Sequence, residues 1–173
     1  SEPAEHCERT TLHGPTMGTR WSASIEVDAT VDLDTLRHDL ATAVEQIDAQ
    51  MSPWKPDSAL MCLNRAPVDA WVDLPAEILE VLVCALEIHR LSAGAFDPGV
   101  GGLVDAWGFG AVRDTPDAVA IHAARQAPPR PTNECLELDP STGRARKHAA
   151  VQLDLCGIAK GYAVDRMVAV LQQ

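Results

Sequence analysis

Asp154-Leu155-Cys156-Gly157-Ile158-Ala159-Lys160-Gly161 reads as the end of a strand running into a glycine-punctuated helix start. Upstream of it, residues 151–154 have the pattern of a short strand. Residues 134–139 and 145–148 flank Pro140-Ser141-Thr142-Gly143 as a hairpin. Free N–H groups at a helix N-terminus, a carboxylate just before it and a lysine one turn in suit a phosphate-bearing ligand and a metal. Taken alone, the same stretch also reads as a capping Asp154 and a solvated Lys160.

Working outward, residues 16–28 alternate, with Trp21, Ala23, Ile25 and Val27 on one side and Arg20, Ser22, Ser24 and Glu26 on the other. That is a half-buried strand. Asp32 or Asp34 then caps a helix whose Leu33, Leu36, Leu40, Val44, Ile47 and Met51 form one apolar stripe, ending before Ser52-Pro53. A short helical turn is expected over 58–64, a brief strand over 71–74 and a second long helix from Pro75. On that helix Ile78, Leu79, Leu82, Leu86 and His89 share a face, and Val81, Val83, Cys84 and Ile88 widen it. The spacing predicts burial on more than one side, with His89 a core or boundary histidine.

Residues 92–110 are glycine-rich and lack clear periodicity, yet Phe96, Val100, Leu103, Val104, Trp107 and Phe109 argue for an ordered loop. Thr115-Pro116-Asp117 opens a third helix through about Gln126, which Ala127-Pro128-Pro129-Arg130-Pro131 ends. Strands and helices without repeating alternation favour an α+β fold over a doubly wound sheet. Residues 1–13 read as a flexible lead and 14–173 as one domain. The opening at Ser1, without Met, is that expected of a processed or trimmed form.

The chain has 173 residues, 46% of them hydrophobic and 23% charged, which is enough to build a core. Its formal charge of −11 argues against nucleic acid or an anionic membrane surface as main partner, because both require a clustered basic face. An anionic ligand would need local donors working against that field. The five cysteines, Cys7, Cys62, Cys84, Cys135 and Cys156, show neither C-x-x-C spacing nor a disulfide framework, so inert thiols are expected. No run approaches the roughly eighteen apolar residues of a membrane span.

Four segments carry candidate chemistry: Thr16-Met17-Gly18-Thr19, then Met51-Ser52-Pro53-Trp54-Lys55-Pro56-Asp57-Ser58, then Gly94-Ala95-Phe96-Asp97-Pro98 with Trp107-Gly108-Phe109-Gly110, and finally 154–161. Trp54 between two prolines suits stacking on a flat heterocycle or covering a core edge. Asp97 in its loop suits capping of backbone N–H groups or bonding a ligand. Gly99-x-Gly101-Gly102 is followed by neither a phosphate-binding lysine nor a dinucleotide helix opening, so neither nucleotide template is supported. In this order and spacing the segments resemble the ApbE family of FAD:protein FMN transferases, from about Gly14 onward and over the N-terminal half of such a protein.

The resemblance implies an α+β fold with a mixed, largely antiparallel sheet and packed helices. It implies a periplasmic or membrane-anchored enzyme that uses FAD and Mg2+ and moves FMN to a threonine or serine hydroxyl of a partner flavoprotein, releasing AMP. That partner would belong to a membrane or periplasmic redox system. Met17 would contact the cofactor, Trp54 would stack on it, and Ala95, Phe96 and Asp97 would line the same cleft. Asp154 would hydrogen-bond FAD, Lys160 would lie near it, and the Gly157 carbonyl would bind the metal. The family's other metal ligands, a carboxylate and a hydroxyl, belong to its C-terminal half, so no catalytic residue is assigned within 1–173 and this segment alone is expected to be inactive. Cys156 and Pro53-Trp54 depart from the usual residues, and Cys156 is expected to perturb or oxidise beside Gly157. Two alternatives stay open: an FAD-binding or scaffolding protein without transfer, and an FAD pyrophosphatase.

Overall fold

The computed structural model describes residues 7–112, 114–126 and 130–173. The first six residues of the expected lead, and the 127–129 part of the proline-rich helix stop, lie outside the described residues. Strand β1 already runs Glu8–Thr16, which corrects the expectation of a loose lead through residue 13. Met17 at φ 42° and Gly18 at φ 69° form a two-residue turn that folds β1 back onto β2, Thr19–Val27. Positive φ at both positions is what a hairpin of this length demands. The strand hides in sequence because Leu12 alone on it is buried, among polar neighbours.

Helix α1 spans Leu33–Met51 and starts where Asp32 accepts hydrogen bonds from the N–H groups of Asp34 and Thr35. Its buried stripe of Leu40, Val44, Ile47 and Met51 matches the expected face. Each such burial contributes about 1.5–3 kcal/mol, whereas propensity differences are below about 1 kcal/mol, so packing fixes this helix. Helix α2, Ala59–Arg65, is capped by Ser58, whose Oγ accepts from Met61 N at 3.1 Å.

After the short strand β3, Val72–Asp73, helix α3 runs Ala76–Leu91. Its buried side is Ile78, Leu79, Val81, Leu82, Ala85 and His89, while Val83, Cys84 and Ile88 are exposed. Burial on several sides is therefore corrected to burial on one, because Cys84 and Ile88 face an open groove between α3 and the last helix.

The glycine-rich stretch holds a short helix, α4, Gly101–Ala106, too brief to show a period. Helix α5, Ala118–Gln126, follows, and a four-residue helix α6, Thr132–Cys135, takes the first positions of the expected hairpin. Strands β4, Leu136–Asp139, and β5, Arg144–Lys147, then pair antiparallel, and β3 adds to β5 to give the order β3-β5-β4. The strand expected over 151–154 is reduced to one parallel bridge, Val100 with Gln152. Helix α7, Cys156–Leu171, closes the chain.

Both sheets are antiparallel and the helices pack between them, so the architecture is α+β. One core joins Ile47, Leu60, Leu63, Ile78, Leu82 and Leu155, and a second joins Leu12, Trp21, Leu40, Val44 and Met167. Helix α7 belongs to both, through Ala159 and Met167. That shared helix holds its own N-terminus next to the β1–β2 turn. Among the described residues no helix is long and apolar enough to cross a membrane.

Candidate functional site

Trp54 sits on a loop that is pinned at several points. Ser52 Oγ accepts from Trp54 N at 3.2 Å, and Ser58 Oγ donates to Ser52 O at 2.8 Å. Lys55 reaches back to α1, with Nζ 2.7 Å from Asp48 and 2.6 Å from Glu45. Those hydrogen bonds hold the Lys55 ammonium above its usual range, Asp48 contributing most. Arg65 donates to Pro56 O. The backbone is thus fixed while the Trp54 ring stays 53% exposed, an arrangement that presents an aromatic surface instead of burying it.

Opposite Trp54 lie the β1–β2 turn and the first turns of α7. Met17, Gly18, Met51, Pro53, Trp54, Phe109, Cys156, Ala159 and Lys160 enclose a cleft of about 290 Å3. Lys160 is the charged residue in that lining, and Phe109, 75% exposed, gives a second aromatic face. Met17 occupies a left-handed position where asparagine or glycine would be unstrained. The hairpin requires this conformation, and the Met17 side chain lines the cleft while packing against the main core.

Asp154 lies beside this cleft, in a separate hollow of about 60 Å3 that shares Pro53 with it and includes Asn64, Asp105 and Val112. Its Oδ1 accepts from Cys156 N at 2.7 Å, an Asx turn just ahead of the N-cap Leu155 that occupies the first free N–H of α7. Desolvation of the Cys156 thiol, and then the adjacent Asp154 carboxylate, push that thiol up to about 12. The thiol is exposed yet held protonated, which slows its reaction as a nucleophile.

The expected trio Ala95, Phe96 and Asp97 lines neither hollow. Phe96 packs against the main core, close enough to Gly157 that a Cβ there would meet its ring at 3.2 Å. Asp97 Oδ1 accepts from Gly99 N at 2.8 Å and from Thr132 Oγ1 at 2.5 Å, so this carboxylate latches the glycine-rich loop to α6. His89 is buried, with Nδ1 3.0 Å from Phe96 O, and is the core histidine expected. The structure therefore gathers Met17, Trp54 and Lys160 in one cleft, sets Asp154 next door, and leaves Ala95–Asp97 out of both hollows, with Phe96 against Gly157.

A magnesium ion asks for about six oxygen ligands in near-octahedral geometry. Among the described residues no three His, Cys, Asp or Glu side chains gather to hold a metal. The Gly157 carbonyl lies in the first turn of α7, where the helical ladder uses one lone pair. These residues do not make a magnesium site by themselves. Two contributors escaped the sequence reading as site residues: Phe109, whose Trp-Gly-Phe-Gly context gave only an ordered loop, and Asn64, which nothing local marks.

Comparison with known proteins agrees with the motif pattern. The model of the ApbE family matches residues 17–173. The FAD:protein FMN transferase of Klebsiella pneumoniae (strain 342) is 32% identical over 170 residues, covering 95% of this chain and 48% of the relative. That of Vibrio cholerae is 32% identical over 173 residues, covering 99% and 50%. Among solved structures, the flavin transferase ApbE from Vibrio cholerae superposes with a TM-score of 0.85 at 29% identity, over 96% of this chain and 54% of that one. The apo flavinyl transferase ApbE of Pseudomonas stutzeri gives 0.83 at 28%, over 96% and 55%. The chain spans about half the length of the curated relatives it matches. On this match of sequence, fold and motif order, the chain belongs to the ApbE family.

Proposed function

We propose that this chain is the N-terminal part of an FAD:protein FMN transferase that acts in the periplasm on a flavoprotein of a membrane or periplasmic redox system. The observation that carries the reading is the cleft in which Trp54, Phe109 and Lys160 converge beside the α7 start. Two exposed aromatics suit a flavin or adenine ring, and a lysine one turn into a helix suits a pyrophosphate. The names borne by the relatives from Klebsiella pneumoniae and Vibrio cholerae support it.

In this reaction the target threonine or serine oxygen bonds to the FMN phosphorus as the bond from that phosphorus to the bridging oxygen breaks. AMP leaves with the bridging oxygen, and the hydroxyl proton passes to solvent. Bound magnesium would neutralise charge on the pyrophosphate. Gly157 offers it a single carbonyl, with its other ligands coming from outside these 173 residues. Within this segment, Met17, Trp54 and Phe109 hold the rings and Lys160 and Asp154 orient the polar part, while Ala95, Phe96 and Asp97 set the α7 start. This segment alone binds weakly and does not transfer.

Quenching of flavin fluorescence measures the binding step. Trp54→Ala should weaken FAD affinity by about tenfold through lost stacking. Lys160→Met should weaken it about tenfold, with less sensitivity to salt than the parent. FAD affinity unchanged by either substitution would remove the cleft from the account.

A further inference from the structure

Asn64, next to last in α2, is almost fully buried, and its carboxamide makes both hydrogen bonds of a strand partner to one residue. Nδ2 donates to Leu153 O at 2.9 Å, and Oδ1 accepts from Leu153 N at 2.8 Å. The next residue is Asp154. Asn64 is itself held from behind. The ammonium of Lys147, a residue 3% exposed, donates to Asn64 O at 2.5 Å, and Gln152 Nε2 donates to the same oxygen at 3.4 Å.

On its other side the 152–154 segment is held by the glycine-rich loop. Gly101 N donates to Gln152 O at 2.9 Å, and Asp154 N donates to Pro98 O at 2.8 Å. Residues 151–154 therefore lack a ladder partner strand, and one side chain replaces it. A carboxamide satisfies the two buried peptide groups of Leu153 that would otherwise be orphaned. No other side chain of similar size offers donor and acceptor together in this geometry.

We propose that Asn64 is a positioning residue for Asp154. Through Leu153 it fixes where the carboxylate stands at the start of α7, and Lys147 carries this fix back to the β3-β5-β4 sheet. This inference rests on the reading that Asp154 orients FAD. Glutamine, one methylene longer, would push Leu153 away. Aspartate keeps the acceptor for Leu153 N but loses the donor for Leu153 O.

The test uses Asn64→Ala and Asn64→Asp in the protein encoded by the complete reading frame, with two readouts. The first is amide exchange at Leu153, Asp154 and Cys156, which needs no ligand. Asn64→Ala should speed exchange at Leu153 by about tenfold or more, with Asn64→Asp between it and the parent. The second is FAD affinity measured in a cycle with Asp154→Ala. If Asn64 acts through Asp154, Asn64→Ala costs about tenfold in the parent and almost nothing when Asp154 is already alanine.

Equal losses in both backgrounds, or unchanged exchange at Leu153 in Asn64→Ala, would overturn the proposal. If Asn64→Ala does not fold, Asn64→Asp carries the affinity cycle, and equal losses in both backgrounds overturn the proposal. A parent protein that fails to bind FAD sinks the binding reading, and exchange at Leu153 and Cys156 then decides the clamp alone.

Discussion

Removing the Asp97 carboxylate should loosen the glycine-rich loop by an amount the geometry sets. Asp97 Oδ1 accepts two hydrogen bonds, from Gly99 N and from the hydroxyl of Thr132, a residue 1% exposed. Bonds to a charged acceptor contribute about 1.5–3 kcal/mol each. The Asp97 side chain is 30% exposed, so water competes and the lower end applies. Asp97→Ala should therefore cost about 3 kcal/mol, which for a domain of this size lowers Tm by about 6–12 °C. Asp97→Asn keeps an acceptor oxygen and should cost about 1 kcal/mol.

Gly99 reports on the same latch from the other side. A Cβ there would collide with Thr132 Oγ1 and stand 3.1 Å from Val151 Cγ2, so Gly99→Ala must push the Thr132 hydroxyl off the carboxylate. Because both substitutions break one contact set, the double variant should lose clearly less than the sum of the two. Urea unfolding at constant m measures each value. An Asp97→Ala protein within about 0.5 kcal/mol of the parent, or losses that add fully, would refute the latch.

Two further outcomes concern titrating groups. Protonated His148 donates from both ring nitrogens, to Asp69 at 2.8 Å and to Glu137 at 2.7 Å, and these bonds, Asp69 first, raise it above its ordinary 6.5. Its contribution is complete below 6.5 and is lost as pH climbs through the raised value. The Tm gap between parent and His148→Ala should thus be larger at about pH 6 than at about pH 9, and an equal gap at both would contradict the pairing. Cys156 and Cys84 are both exposed, but the Cys156 thiol, pushed up to about 12, should alkylate with iodoacetamide more slowly than Cys84, and Asp154→Asn should speed it. Peptide mass spectrometry that finds Cys156 modified as fast as Cys84 would sink that assignment.

Long periodic elements were legible in the sequence and short ones were not. Helix α1 announced itself because Leu40, Val44, Ile47 and Met51 make one buried stripe, which feeds both cores, and Asp32 caps it. Helices α4 and α6, of six and four residues, carry too few apolar positions to show a period. Residues 151–154 looked like a strand because Val151 and Leu153 alternate with polar neighbours. Their partner is a side chain 89 residues away, which no local pattern encodes.

The site divides in the same way. Met17, Trp54 and Lys160 were found through ordered motifs, and the fold brings them into one cleft. Asp97 was read as either a cap or a ligand contact, and its geometry shows the cap. Phe109 reaches the cleft because Asp105 holds the loop end through Val112 N at 3.2 Å, a tertiary detail the glycine-rich stretch does not reveal. Composition gave the acidic background against which Lys160 must work.

The central claim is that this chain forms the flavin-holding part of an FMN transferase. The product of the complete reading frame, incubated with FAD, magnesium and a candidate flavoprotein domain, is denatured, resolved on a gel and weighed. The account predicts a fluorescent band on the target with a mass gain of one FMN, lost when the target hydroxyl is replaced and reduced by Trp54→Ala. FAD consumed to free FMN and AMP with no adduct on any target would contradict transfer, and no FAD binding at all would contradict the site.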